Sequence, residues 1–168
     1  MKKTKGFTLV ELVVVIAIIG VLAAILVPTM LTYIRKAKLK SANTNAKTAY
    51  NAVVAFFTEK NAADGSSMST IMTMYGNQVI DCNVPPTSTM TAAQMRVHDI
   101  LATNGISSGH VWVDLTTINN VTAIYCQWTI DQNADQIADA VVGQFPDPIS
   151  WDTYKAASFC WKSYVAPI

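Results

Sequence analysis

What this sequence has least of is nucleophiles, metal ligands and charge in the right places. Its three cysteines, Cys82, Cys126 and Cys160, form no C-x-x-C pair. That spacing excludes a zinc ribbon or a dithiol redox motif. If the distal part lies outside the cytoplasm, two of the three can form a disulfide; three pairings exist, and the sequence does not choose among them. His98 and His110 are the only histidines, neither within H-E-x-x-H, and Ser107 and Ser108 lie in GISSGH rather than G-x-S-x-G. No glycine loop that would cradle a phosphate occurs. Nothing recommends an enzyme.

Charge is missing in two different senses. Leu12 to Ile34 contains no charged residue at all. Beyond Asn61 it is cations that are scarce: Arg96, Lys155 and Lys162 stand against nine aspartates. An acidic surface repels phosphates, which argues against nucleic-acid binding through that part. Most of the remaining basic residues flank the apolar run, as Lys2, Lys3 and Lys5 before it and Arg35, Lys36, Lys38, Lys40 and Lys47 after it. They read as a solvated helix face near a membrane surface. Their near balance leaves orientation undecided by the positive-inside rule.

What is present first is KGFTLVELVVVIAIIGVLAAILVP, residues 5–28. At about 1.5 Å per residue, a helix over the uncharged stretch crosses the ~30 Å hydrocarbon core of a bilayer. No A-x-A-like cleavage site follows the run, so a conventional signal peptide is not expected. Downstream, Ala42, Ala46, Ala49, Val53, Phe56 and Phe57 recur every three or four residues, and polar positions including Asn43 lie between them. The pattern predicts one helix from Phe7 to Lys60, apolar all round in its first half and one-faced in its second. Pro28 predicts a kink or local unwinding inside it.

Asn61–Ser69 reads as a loop, and Thr91–Asn104 as a second helix capped by Thr91, with Met95, Ile100 and Leu101 as its apolar side. Strands are expected at Val111–Leu115, Ala123–Ile130, Ile137–Phe145 and Phe159–Val165. The fold class is α+β, with a small antiparallel sheet packed on the apolar face of the long helix. The expected organisation is a leader at 1–6, a membrane-spanning or filament-core helix at 7–34, its amphipathic continuation at 35–60, and a β-rich head at 61–168.

One residue resists this description. Glu11 is an acid near the start of an otherwise lipid-like segment, where a lone charge costs about 2.5–3.5 kcal/mol at the helix centre. Gly6, Phe7, Thr8, Leu9 and Glu11 together resemble the leader and helix start of type IV prepilins and the related pseudopilins. The resemblance covers about Lys5 to Pro28. It implies a type IV pilin-like fold, cleavage between Gly6 and Phe7 by a membrane prepilin peptidase, and methylation of the new Phe7 amine. Glu11 would then pair with an ammonium, either its own Phe7 amine or that of a neighbouring subunit, and so set the stagger between copies more than their stability. Gly20 and Pro28 bracket the segment that loses helical order in assembled pili of the family.

The resemblance further implies a homo-oligomeric helical filament, a major pilin in preference to a secretion or DNA-uptake pseudopilin, and no enzyme. The precursor would sit in the cytoplasmic membrane, lipid-embedded with its N-terminus inside, and the mature form in a surface pilus. An assembly ATPase and a membrane platform protein would supply the work. A rival of another class is a membrane-anchored carbohydrate-binding domain that never polymerises, using aromatics of the tail such as Trp151, Tyr154, Phe159, Trp161 and Tyr164. In the head, Asp131, Asn133, Asp135 and Asp139 have the 1, 3, 5, 9 spacing of a calcium loop. Gln136 replaces the turn glycine and Val142 the final glutamate, so a plain turn is the stronger expectation.

Overall fold

The structure is a computed structural model and describes residues 6–75, 79–118, 121–134, 140–156 and 161–165. The chain divides into two compact units, one ending at Ala37 and the other starting at Lys38. Among the described residues, helix α1, Leu9–Asp64, supplies the secondary structure of the first unit and opens the second. It begins two residues later than the periodicity predicts, because Thr8 caps it, and ends four residues later. It is continuous through Gly20 and Pro28, so of the two expectations at Pro28, a kink or local unwinding, the unwinding is not seen. Proline removes the backbone donor that would meet the Ala24 carbonyl; the hydroxyls of Thr29 and Thr32 bond to other carbonyls near it, those of Leu26 (2.9 Å) and Pro28 (3.2 Å). Every residue from Phe7 to Ile34 is exposed, and this one helix is apolar and long enough to cross a bilayer.

In the second unit, α1 is followed by α2 (Met68–Tyr75), β1 (Ile80–Asp81), α3 (Ala92–Thr103), β2 (His110–Ile118), β3 (Val121–Thr129), β4 (Val142–Phe145) and α4 (Trp151–Ala156). Among the described residues the strands form one antiparallel sheet in the order β1-β2-β3-β4. Strand alternation sends Val111, Val113, Ile124, Cys126 and Trp128 to one face, where Ala42, Ala46, Ala49, Val53, Phe56 and Phe57 of α1 meet them. The apolar stripe of α1 is therefore the one its spacing predicts. The stripe of α3 is so only in part: Leu101 is buried and Ile100 packs half-buried against the core, whereas Met95 is exposed, and Ala93 and Val97 are buried in its stead. Thr91 does cap α3, in a reciprocal pair of bonds with Gln94.

Two small features fix α1 to the edge strand β4. A Cβ on Gly143 would lie 2.0 Å from the carbonyl carbon of Ala42, so only glycine permits this approach. Asn43, one residue on, is no solvent-facing spacer. Its Oδ1 accepts from the backbone N–H groups of Gln144 (3.0 Å) and Ile149 (3.2 Å), and its Nδ2 donates to the Ile149 carbonyl at 2.8 Å. An edge strand's unpaired amide is satisfied by a helix side chain.

The other face of the sheet carries Trp112, Tyr125, Gln127 and Gln144, and the tail packs there rather than forming the predicted strand at Phe159–Val165. Trp161–Val165 is irregular; residues 157–160 lie outside the described residues. Its backbone pairs with side chains. Gln127 accepts from Lys162 N–H at 2.8 Å and donates to the Ser163 carbonyl; Gln144 accepts from Val165 N–H at 2.9 Å and donates to the Val165 carbonyl at 2.8 Å. Both glutamines are fully buried, and Trp161 fills the space beside Trp112 and Tyr125. The strand expected at 111–115 runs longer, over His110–Ile118, and the one at 123–130 shifts to Val121–Thr129; of the one expected at 137–145 only Val142–Phe145 is strand, since 140–141 are irregular and 137–139 lie outside the described residues.

Candidate functional site

The site is the start of α1. Gly6 and Phe7 precede the helix in non-helical backbone, and Phe7 is 88% exposed. A side chain at position 6 would meet nothing within 4 Å, so no packing within the described chain requires a glycine there. The same is true of Gly20, which sits in the helix interior, where glycine costs about 1 kcal/mol relative to alanine.

Thr8 and Glu11 form a capping box, T-L-V-E. Thr8 donates to Glu11 Oε2 through its backbone N–H at 2.8 Å and its hydroxyl at 2.6 Å, and its hydroxyl accepts from the Glu11 N–H at 3.3 Å. This satisfies donors that a helix N-terminus otherwise leaves orphaned, and it places a carboxylate at the positive end of the helix dipole. Both Thr8 donors converge on Oε2. Oε1 accepts no hydrogen bond among the described residues. The resemblance includes Thr8 without giving it a role; the structure makes it the cap of α1. The S/T-x-x-E spacing that marks a capping box stood in the sequence.

The other candidate residues do not converge on a site. Asp131 and Asn133 line an open cleft of about 360 Å³ with Asp81, Asn83 and His110, while Asp135 and Asp139 lie outside the described residues. Among the described residues no three histidine, cysteine or carboxylate side chains gather as a metal site would require. Cys82 and Cys126 are buried free thiols, Cys126 on the α1 face of the sheet; Cys160 lies outside the described residues. Of the tail aromatics, Trp161 is core, and Trp151 and Tyr154 are half-buried and stacked at 5.4 Å.

Comparison with known proteins places this geometry. The prokaryotic N-terminal methylation motif matches residues 1–27. Over 119 residues the chain is 35% identical to the type IV wide pilus major component PilA4 of Thermus thermophilus, covering 69% of this chain and 84% of that protein. It is 30% identical over 137 residues to the fimbrial protein EcpC of Eikenella corrodens, covering 78% and 84%. To the type IV major pilin protein PilA of Myxococcus xanthus it is 47% identical over 58 residues, which span 34% of this chain and only 26% of that longer relative. No solved structure matches the chain. With a long apolar N-terminal helix, an antiparallel sheet and 84% coverage of two such relatives, the chain belongs to the type IV pilin family.

Proposed function

We propose that this chain is the major structural subunit of a type IV pilus. It waits in the cytoplasmic membrane as a single-pass precursor with its N-terminus inside. A prepilin peptidase cuts between Gly6 and Phe7 and the Phe7 amine is methylated. An assembly ATPase acting through a membrane platform protein then extracts it into a filament, in which the 7–34 segments form the core and the heads the surface.

The observation that carries this reading is the division of labour on Glu11. Oε2 is engaged by Thr8, while among the described residues nothing donates to Oε1. Cleavage after Gly6 creates a cation at Phe7, one residue before the cap. In a water-poor bundle of such helices, the Phe7 ammonium of an adjoining copy is the partner that neutralises Glu11. An offset that breaks the pair leaves two charges buried alone, so the pair sets register. Gly6 fits the same account, since its lack of a side chain serves no packing in the described chain and suits a peptidase cleft. Gly20 and Pro28 weaken the span at two points and allow it to extend on assembly.

Two measurements test the proposal. The intact mass of the mature chain is expected to show loss of residues 1–6 plus one methyl group; a retained leader overturns the reading. Glu11→Val is expected to stay membrane-inserted and processed but to assemble poorly, whereas a membrane-anchored binding domain would be indifferent to it.

A further inference from the structure

The second unit starts at Lys38, and there the structure has a cleft of about 320 Å³ lined by Lys38, Ser41, Trp128, Ile130, Asp131 and Val141. Its volume is at the small end of the range for ligand sites. One wall is apolar, and Ile130 is 53% exposed. The rim carries one cation, Lys38, and one anion, Asp131, both exposed and neither in an ion pair among the described residues. Lys38 is four residues beyond Ile34, the end of the uncharged run. Four residues reach at most about 14 Å in any conformation. The headgroup layer itself is roughly 5–7 Å deep on each side of the hydrocarbon. While the span is in a membrane, Lys38 cannot leave the neighbourhood of the headgroups.

We propose that this cleft binds a phosphoethanolamine headgroup of the surrounding bilayer. Lys38 meets the phosphate, the Asp131 carboxylate accepts from the primary ammonium, and Trp128, Ile130 and Val141 cover the glycerol end. A zwitterion matches a rim with one charge of each sign. An anionic headgroup would satisfy Lys38 but face Asp131 unfavourably, and a quaternary choline has no N–H to donate. Such a contact would seat the head of the precursor on the membrane until the filament takes it up. The inference rests on the proposed membrane-held precursor.

The test uses the full chain in nanodiscs with Ile130 replaced by photo-leucine, in phosphatidylethanolamine, phosphatidylglycerol or phosphatidylcholine. Insertion is read separately, by co-elution with the discs, so a chain that fails to insert overturns the precursor reading, not the cleft. With insertion established, irradiation is expected to give a lipid adduct in phosphatidylethanolamine. The yield should fall roughly tenfold in the other two lipids, and likewise for Lys38→Ala or Asp131→Asn, the factor expected for losing one charge-assisted hydrogen bond. Photo-leucine at Val84, exposed but outside the cleft, should give none. Equal adducts in all three lipids, no lipid adduct, or crosslinking to a second copy would overturn the proposal. The lipid series on the unsubstituted rim decides the matter even if a charge variant fails to fold.

Discussion

Thr8 and Glu11 are bound by three hydrogen bonds across the first turn of α1, and both Thr8 donors fall on one carboxylate oxygen. The pair thus separates two tasks that a single substitution of Glu11 would confound, starting the helix and pairing with another molecule. Thr8→Ala removes both hydroxyl bonds and keeps the backbone N–H bond and the charge. It is expected to cost the first turn about 1 kcal/mol. Amides of the first turn should exchange faster in micelles, while filaments still form, in reduced yield and with unchanged subunit rise. Glu11→Gln keeps an acceptor for the cap but loses the charge, so its filaments should be the scarcer. If Thr8→Ala assembles as poorly as Glu11→Gln, the carboxylate acts only through the cap.

In the interior of the same helix, Ala42 and Gly143 of β4 approach through backbone alone. A new methyl on residue 143 would meet the carbonyl carbon and oxygen of Ala42 at 2.0 and 2.1 Å and the Asn43 nitrogen at 2.4 Å, none of which can swing away. Gly143→Ala is therefore expected to cost about 3 kcal/mol or more, the upper end of overpacking effects, by forcing β4 off the helix. Chemical denaturation checks the size. A loss below about 1 kcal/mol would mean that the strand shifts freely and that Asn43 does not pin it.

The chain's legibility follows from how local each feature's cause is. The α1 stripe from Ala42 to Phe57 was visible because a helix repeats its face every three to four residues, and the N-terminal motif because its residues are contiguous. The Thr91 cap of α3 was visible for the same reason. Helices α2 and α4 are too short to display a period; their starts are marked only by Ser67 accepting from the Thr70 N–H at 3.3 Å and Ser150 from the Thr153 N–H at 3.1 Å. β1 is a two-residue strand without a pattern of its own. The tail misled most. FCWKSYV has strand composition, but the backbone groups of Lys162, Ser163 and Val165 meet two glutamine side chains about 20 to 35 residues upstream. No local rule reports a partner at that distance.

Those glutamines carry a prediction of their own. Gln127→Leu keeps the volume roughly but removes the amide partner of Lys162 N–H and of the Ser163 carbonyl, at about 0.5–1.5 kcal/mol for each bond lost. Amide exchange by mass spectrometry should show the tail opening while the β2–β3 ladder stays protected. Tyr164→Phe, which removes the 2.6 Å bond to Asp147, should loosen the tail less. Simultaneous loss of tail and ladder would show instead that the tail is integral to the sheet.

The buried thiols should be silent. Burial, with the Asp81 charge adding to it, pushes the Cys82 thiol up to about 12, and burial alone pushes Cys126 well above its usual range. Since the thiolate is the reacting species, neither is expected to alkylate at pH 8 in the folded chain, and both should react once denaturant is added. Rapid labelling of Cys82 or Cys126 before unfolding, located by peptide mapping, would show that the core opens locally.

Asp81 gives the head an acid limb with a defined sign. Partial burial works against its charged form, yet the backbone and side-chain N–H groups of Asn83, with His110 and His98 nearby, hold the carboxyl below its ordinary 3.8. A carboxyl whose folded value lies below its unfolded one binds fewer protons folded than unfolded. Its contribution is present in full above the unfolded value and is lost as pH falls through the folded one. Asp81→Asn should therefore melt lower than the parent at pH 7. The gap between the two should close as pH drops from about 5 to about 2, because the parent's carboxylate then takes up a proton and becomes neutral, as the variant's amide already is. Thermal melts across that range decide it, and a gap that persists at pH 2 would assign the variant's loss to packing around Asn83 rather than to charge.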